Sequence, residues 1–148
     1  MYSFAGDFPG KVDNKERIVL PAAFKNEMTK AGEKIFVVRK DFHEPCLFLY
    51  PESEWDSLIK KIAEASSITN KKDRSLLRRM GKNVLKIGFS LENGRMLIPK
   101  RFLEMANIEK NVVLEGLGNY IEIWDKSAYE LIDYSSEDFS NDMDEKLK

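Results

Sequence analysis

Val12-Asp13-Asn14-Lys15-Glu16-Arg17-Ile18-Val19-Leu20-Pro21-Ala22-Ala23-Phe24 reads as a turn, a short apolar strand and a proline-started helix. Asp and Asn favour such a turn, because their side chains bond nearby backbone N–H groups. Proline suits the first helical turn, where its missing N–H is not needed. A second stretch repeats the first: Leu91-Glu92-Asn93-Gly94-Arg95-Met96-Leu97-Ile98-Pro99-Lys100-Arg101-Phe102. Arginine, three apolar residues, proline and a phenylalanine three residues later recur 78 positions on. Self-similarity at a fixed spacing is the signature of a duplicated structural unit.

Working outward, residues 7–12 predict a strand leading into the turn, Arg17–Leu20 a second strand, and Ala22–Met28 a helix with Phe24 and Met28 on one face. Ile35–Arg39 and Cys46–Tyr50 read as a β-hairpin, stopped by Pro51. Ser53 is the expected cap of an amphipathic helix whose stripe is Trp55, Leu58, Ile59 and Ile62. Ser66–Thr69 is a linker. Asn70 opens a helix over 71–80, with Leu76, Leu77 and Met80 inward, the bases outward and Gly81 as its C-cap. The second half replays the first: strand Val84–Phe89, turn 92–94, strand Arg95–Ile98, and a helix with Phe102 and Met105 inward. A hairpin over 111–124 with its turn at Gly116–Asn119 follows, then a helix capped by Asp125. Here the offset falls to 74 (Tyr50 to Trp124, Trp55 to Tyr129), which places about four missing residues in the helix-to-hairpin loop and the hairpin turn. Residues 135–148 are polar and acidic, and are expected to be mobile or loosely helical.

The organisation is therefore an α+β fold: repeat 1 over 7–53, a helical connector over 54–80, repeat 2 over 81–127 and an acidic tail over 128–148. A unit of about 45 residues buries too little surface alone. Two copies about a pseudo-twofold axis, with interleaved hairpins, form one small barrel.

The 148 residues carry a net charge of −1, but the charge is polarised. From Lys60 to Arg101 there are twelve bases and three acids; from Glu115 to Glu145 there are ten acids and one lysine. Such asymmetry fits a polyanion partner on one face, or two solvated faces whose charges cancel. The basic face of 71–79 serves solubility or an acidic neighbour equally well. No apolar run approaches a membrane span, and the start Met1–Asp7 lacks the basic and apolar regions of a signal peptide. The single cysteine, Cys46, excludes an intrachain disulfide. With His43 it makes only half a zinc ligand set, so both read as structural, and no metal or cofactor is expected. There is no nucleophile motif, no phosphate-cradling glycine loop and one histidine, so an enzyme is not expected.

The duplicated Asp13-x-x-x-Arg17 and Val19-Leu20-Pro21 pattern, with Cys46–Pro51 and Trp55, Arg95 with Leu97-Ile98-Pro99, and Gly118-Asn119 before Ile121–Trp124, resembles the MraZ family over about residues 1–130. That family carries two AbrB-like (SpoVT/AbrB) units in tandem. The resemblance implies a swapped-hairpin small β-barrel decorated by short helices, assembled into homo-oligomeric rings. It also implies a cytoplasmic, nucleoid-associated transcriptional regulator that binds repeated boxes of double-stranded DNA ahead of division and cell-wall genes, its own operon included. An oligomeric protein-interaction or antitoxin-like module without DNA readout is the alternative.

The chain departs from the family pattern twice. Glu16 stands where the family usually has glycine, and Leu91 stands four residues before Arg95 where the first copy has Asp13. Arginine is common to both copies. Arg17 and Arg95 are thus the candidate DNA contacts, since a guanidinium meets phosphate or guanine with two hydrogen bonds. The competing reading is an ion pair between repeats or subunits. Lys15 and Lys11 are candidate phosphate contacts, and Asp13 is expected to orient Arg17 or bond the turn. Lys100 and Arg101, at a helix start where positive charge is unfavourable, are further DNA-contact candidates.

Overall fold

The duplicated stretches pair with each other. In the computed structural model, which describes residues 1–148, β2 (Arg17–Val19) and β6 (Arg95–Leu97) form a two-stranded antiparallel ribbon. Arg17 lies opposite Leu97, Ile18 opposite Met96, and Val19 opposite Arg95. The ribbon is extended by reciprocal bonds, Ile98 N–H to the Glu16 carbonyl (2.9 Å) and Leu20 N–H to the Gly94 carbonyl (2.7 Å). The pairing therefore has a pseudo-twofold axis between Ile18 and Met96.

The other strands are β1 (Phe4–Lys11), β3 (Ile35–Lys40), β4 (Cys46–Pro51), β5 (Val84–Gly88), β7 (Asn111–Gly118) and β8 (Ile121–Asp125). They make one antiparallel sheet in the order β1-β7-β8-β4-β3-β5. Each hairpin is completed by a strand of the other repeat: β1 pairs with β7, and β5 with β3. The axis crosses the sheet at Phe48 and Glu122, which are direct partners, with Leu47 opposite Ile123 and Leu49 opposite Ile121. Ribbon and sheet share one core. Ile18, Leu20, Met96 and Ile98 from one side meet Phe4, Phe36, Val38, Leu49, Leu114 and Ile123 from the other. This is the α+β swapped-hairpin arrangement of two repeats.

The helices are α1 (Ala22–Lys30), α2 (Glu52–Glu64), α3 (Lys71–Gly81), α4 (Lys100–Met105), α5 (Lys126–Glu130) and α6 (Ser136–Lys146). Phe24, Met28 and Phe102 are buried as expected, and Met105 is half-buried beside the fully covered Leu103. Asn70 caps α3 by accepting from the Lys72 and Asp73 N–H groups, and Asp125 caps α5 by accepting from Ser127.

Several local expectations are revised. Leu20 lies outside β2, its N–H being taken by Gly94. Ser53 is not the cap of α2. The helix starts after Pro51, and both the Ser53 N–H and hydroxyl donate to the Glu33 carboxylate, which also accepts from the Tyr2 hydroxyl. Leu76 points to solvent while Leu77 and Met80 turn inward. Gly81 ends α3 without a left-handed turn, and the positive φ falls on Asn83 (54°). β7 runs on to Gly118 because β1, starting at Phe4, pairs with it that far, so the hairpin turn is only Asn119–Tyr120. The offset changes inside the helix as well. Both α1 and α4 end with paired backbone bonds around a left-handed residue, Gly32 in one and Asn107 in the other, but α4 is three residues shorter. The tail is a regular helix: Ser135 accepts from the Asp138 N–H and α6 follows, with no buried residue.

Candidate nucleic-acid interface

A strand of period two sends alternate side chains to opposite faces. On the ribbon, Ile18 and Met96 are fully buried, so Arg17 and Val19 of one strand share the outer face with Leu97 and Arg95 of the other. Val19 is 54% and Leu97 55% exposed. The two arginines are diagonal neighbours across the strand pair, a Cα spacing of roughly 7–8 Å.

The first turn is built around Asp13. One carboxylate oxygen accepts from the Lys15 N–H (2.8 Å) and the Arg17 N–H (2.9 Å), and the other accepts from Arg17 Nε (2.9 Å). Those bonds, the Arg17 N–H foremost, hold the Asp13 carboxyl below its ordinary range. The ion pair of Arg17 is thus within its own turn. Asp13 fixes the guanidinium through Nε, and neither Nη atom makes a hydrogen bond within the chain. Glu16 completes the turn at φ 61°, a conformation natural to glycine and strained for glutamate.

The second turn is one residue longer. Ser90 N–H bonds the Arg95 carbonyl and Gly94 N–H bonds the Ser90 carbonyl, as Asp13 and Glu16 do in the first turn. The counterpart of Asp13 is therefore Ser90, and Leu91 is the extra residue rather than a replacement. Asn93 Oδ1 takes over the Arg95 N–H (3.0 Å). Nothing replaces the bond to Nε, and Arg95 takes part in none of the chain's four ion pairs. Gly94 keeps the left-handed φ of 75°, and a Cβ there would meet the Leu20 carbonyl at 3.0 Å.

Five candidates gather at one end of the ribbon. Lys11 ends β1, and Lys15 is exposed in the first turn. The bond from Ile98 N–H to Glu16 sets the start of α4, with Lys100 and Arg101, beside Arg17. Lys100 reaches Glu104 at 4.0 Å, and the Arg101 guanidinium lies over the Phe102 ring at 4.8 Å. Arg95 lies at the other end. There the structure adds Lys25 of α1, whose ammonium donates to the Leu91 carbonyl at 3.1 Å. Sequence reasoning passed over Lys25, and also Val19 and Leu97. Ile18-Val19-Leu20 and Met96-Leu97-Ile98 are apolar throughout, so the sequence did not mark which of them face outward. Lys25 carried no signal either, since its neighbour lies 66 positions away.

Cys46 is the fully buried first residue of β4, and His43 is exposed in the turn before it. Burial pushes the Cys46 thiol up, away from reactivity.

The family model described as "MraZ protein, putative antitoxin-like" matches residues 3–79 and 92–148, which include the first turn, both arginines and the whole ribbon. The chain belongs to the MraZ family. It is similar to the transcriptional regulator MraZ of Phocaeicola vulgatus, 34% identical over 96% of this chain and 92% of that protein. The MraZ of Bacteroides thetaiotaomicron is also 34% identical, over 98% and 92%. That of Christiangramia forsetii is 36% identical over 99% and 94%. These MraZ relatives are named as regulators of transcription, a role that is not enzymatic. No helix of the chain is long and apolar enough to cross a membrane.

Proposed function

We propose that this MraZ protein regulates transcription by laying the outer face of the β2–β6 ribbon against double-stranded DNA. The observation that carries the reading is the placement of both motif arginines on that exposed face, over a fully buried Ile18–Met96 pair. A two-stranded ribbon fits the major groove, which is about 12 Å wide. Arg17, held at Nε by Asp13, turns its two Nη groups to a guanine edge or a phosphate. Arg95, without that brace, makes the looser contact. Lys11, Lys15, Lys100 and Arg101 meet phosphates, which position the protein rather than specify sequence. Val19 and Leu97 supply apolar contact, for which a thymine methyl is the natural partner.

One subunit makes few contacts. A homo-oligomeric ring repeats them, and later contacts gain from high effective concentration, so regularly repeated DNA boxes are the fitting target. Those boxes lie ahead of division and cell-wall genes, the protein's own operon included, and the protein acts in the cytoplasm at the nucleoid.

A mobility-shift titration with DNA from upstream of its own gene tests the reading. Arg17→Ala is expected to lose at least about tenfold in affinity, the scale of one lost bidentate contact, while the oligomer keeps its mass on gel filtration. Wild-type affinity in that variant at low salt overturns the assignment. Binding of a protein but not of DNA through the Val19–Leu97 face favours the alternative, an interaction or antitoxin-like module.

A further inference from the structure

The C-terminal helix α6 buries nothing on its own chain. Phe139 (53% exposed) and Met143 (43%) stand one turn apart on it, and Tyr134 packs edge-on against Phe139 with ring centroids 6.2 Å apart. Tyr134 also donates its hydroxyl proton to Asp142. Leu131 and Ile132, just before, are exposed too. Around these apolar groups residues 131–148 carry six acids and two lysines. A helix with an ordered apolar stripe and a net negative charge is built to be covered.

A matching surface exists elsewhere on the molecule. Val37, Trp55, Ile59, Leu77, Val84 and Leu85 line an open groove of about 480 Å³ between α2, α3 and the β3–β5 edge of the sheet. The α3 wall of the groove is basic, with five lysines and arginines against one acid over Lys71–Gly81, whereas α2 carries four acids and two lysines and its Glu52 holds Lys86 at 2.7 Å. On the α3 side, charge and polarity both complement α6.

The helix cannot readily serve its own groove. α5 packs on β7 and β8, and α2 packs on β4 and β3. The sheet order puts α2 between α5 and the groove. Only residues 131–135 connect α5 to α6, a reach of at most about 18 Å.

We infer that α6 of one subunit docks, by its Phe139–Met143 face, in the α2–α3 groove of a second copy of this chain. The contact is head-to-tail, each subunit giving a helix and receiving one, which is the interface type that closes into rings. The inference rests on the homo-oligomer reading above and assigns the surfaces that make it.

Sedimentation velocity on the full chain tests it. The parent is expected to form species larger than a dimer, dissociating as salt rises because the pairing is partly electrostatic. Phe139→Asp with Met143→Asp disables the helix, and Leu77→Asp disables the groove; each variant is expected to run as a monomer with an unchanged circular dichroism spectrum. Mixed, they are expected to give one-to-one heterodimers, because one retains the groove and the other the helix. Arg78→Glu, at an exposed position of the α3 wall beside Leu77, is expected to weaken association without touching the core. Variants that keep the parent's mass overturn the docking and leave the oligomer standing. Monomeric variants that stay apart on mixing overturn the docking as well. A parent that is monomeric at every concentration overturns both readings.

Discussion

Glu16 and Gly94 occupy the same left-handed site in the two turns, at φ 61° and 75°. Glycine takes that conformation without steric cost, whereas other residues pay about 1–2 kcal/mol. Glu16→Gly is therefore expected to raise stability by up to about 1 kcal/mol, the backbone relief being partly offset by glycine's greater freedom when unfolded. It also removes an acid beside Arg17, so DNA affinity at low salt rises. Gly94→Ala meets both the positive φ and the Leu20 carbonyl at 3.0 Å, and is expected to cost about 1–3 kcal/mol in urea melts. Equal stability of Gly94→Ala and the parent contradicts this. A different residue governs pH dependence. Glu122 is buried on the outer face of the sheet, accepting from Trp124 Nε1 at 2.9 Å, and burial raises its pKa above 4.5 despite that bond. A raised carboxyl favours the protonated native state. Its penalty is absent below the unfolded value and grows as pH climbs from about 4.5 through the folded value. Glu122→Gln keeps a carbonyl acceptor for Trp124 and removes the charge. Its stability relative to the parent is expected to improve as pH rises from 4 to 7, and a gap that is flat with pH rules this account out.

At the scale of elements, strands and hairpins were legible because their apolar runs are bounded by turn residues. The helix ends were less so. Ser53 has a capping side chain, but Glu33, twenty residues away, captures it, and no local pattern registers such a partner. Leu76 looks inward on a helical wheel, yet α3 covers the sheet only through Leu77 and Met80. The length of β1 was hidden for the same reason: Phe4–Gly6 become strand by pairing with Gly116–Gly118 of the other repeat. That pairing leaves no space at Gly116, where a Cβ would meet the Ala5 nitrogen and the Phe4 carbonyl carbon at 2.5 Å. Gly116→Ala is expected to push β1 off the sheet edge at a cost of about 1–3 kcal/mol. Faster amide exchange in Phe4–Lys11 than in the β3–β4 hairpin is the observation that checks it.

At the scale of the molecule, the polarised charge resolves into a basic α3 and an acidic β1–β7–β8 side, where Asp7, Glu115 and Glu122 are successive cross-strand partners. DNA binding through the ribbon is expected to weaken steeply with salt, the logarithm of affinity falling by about 0.9 for each phosphate neutralised per tenfold rise in salt. Removing Lys15 or Lys100 is expected to reduce that slope by about one for each subunit bound, and an unchanged slope in filter-binding titrations rejects the phosphate role. The sequence by itself determined the duplication, its arginines, the apolar triplets that follow them, and the sign of charge along the chain, because these depend on residue type and spacing alone. Tertiary structure decided that the two copies pair edge to edge across a pseudo-twofold, and that Ser90 rather than Leu91 answers to Asp13. It also braced one arginine and left the other free. The pairing rests on backbone bonds between residues 74 to 82 positions apart, which local spacing does not encode, and the difference between the arginines rests on bonds inside two turns of unequal length, which only their closed geometry reveals.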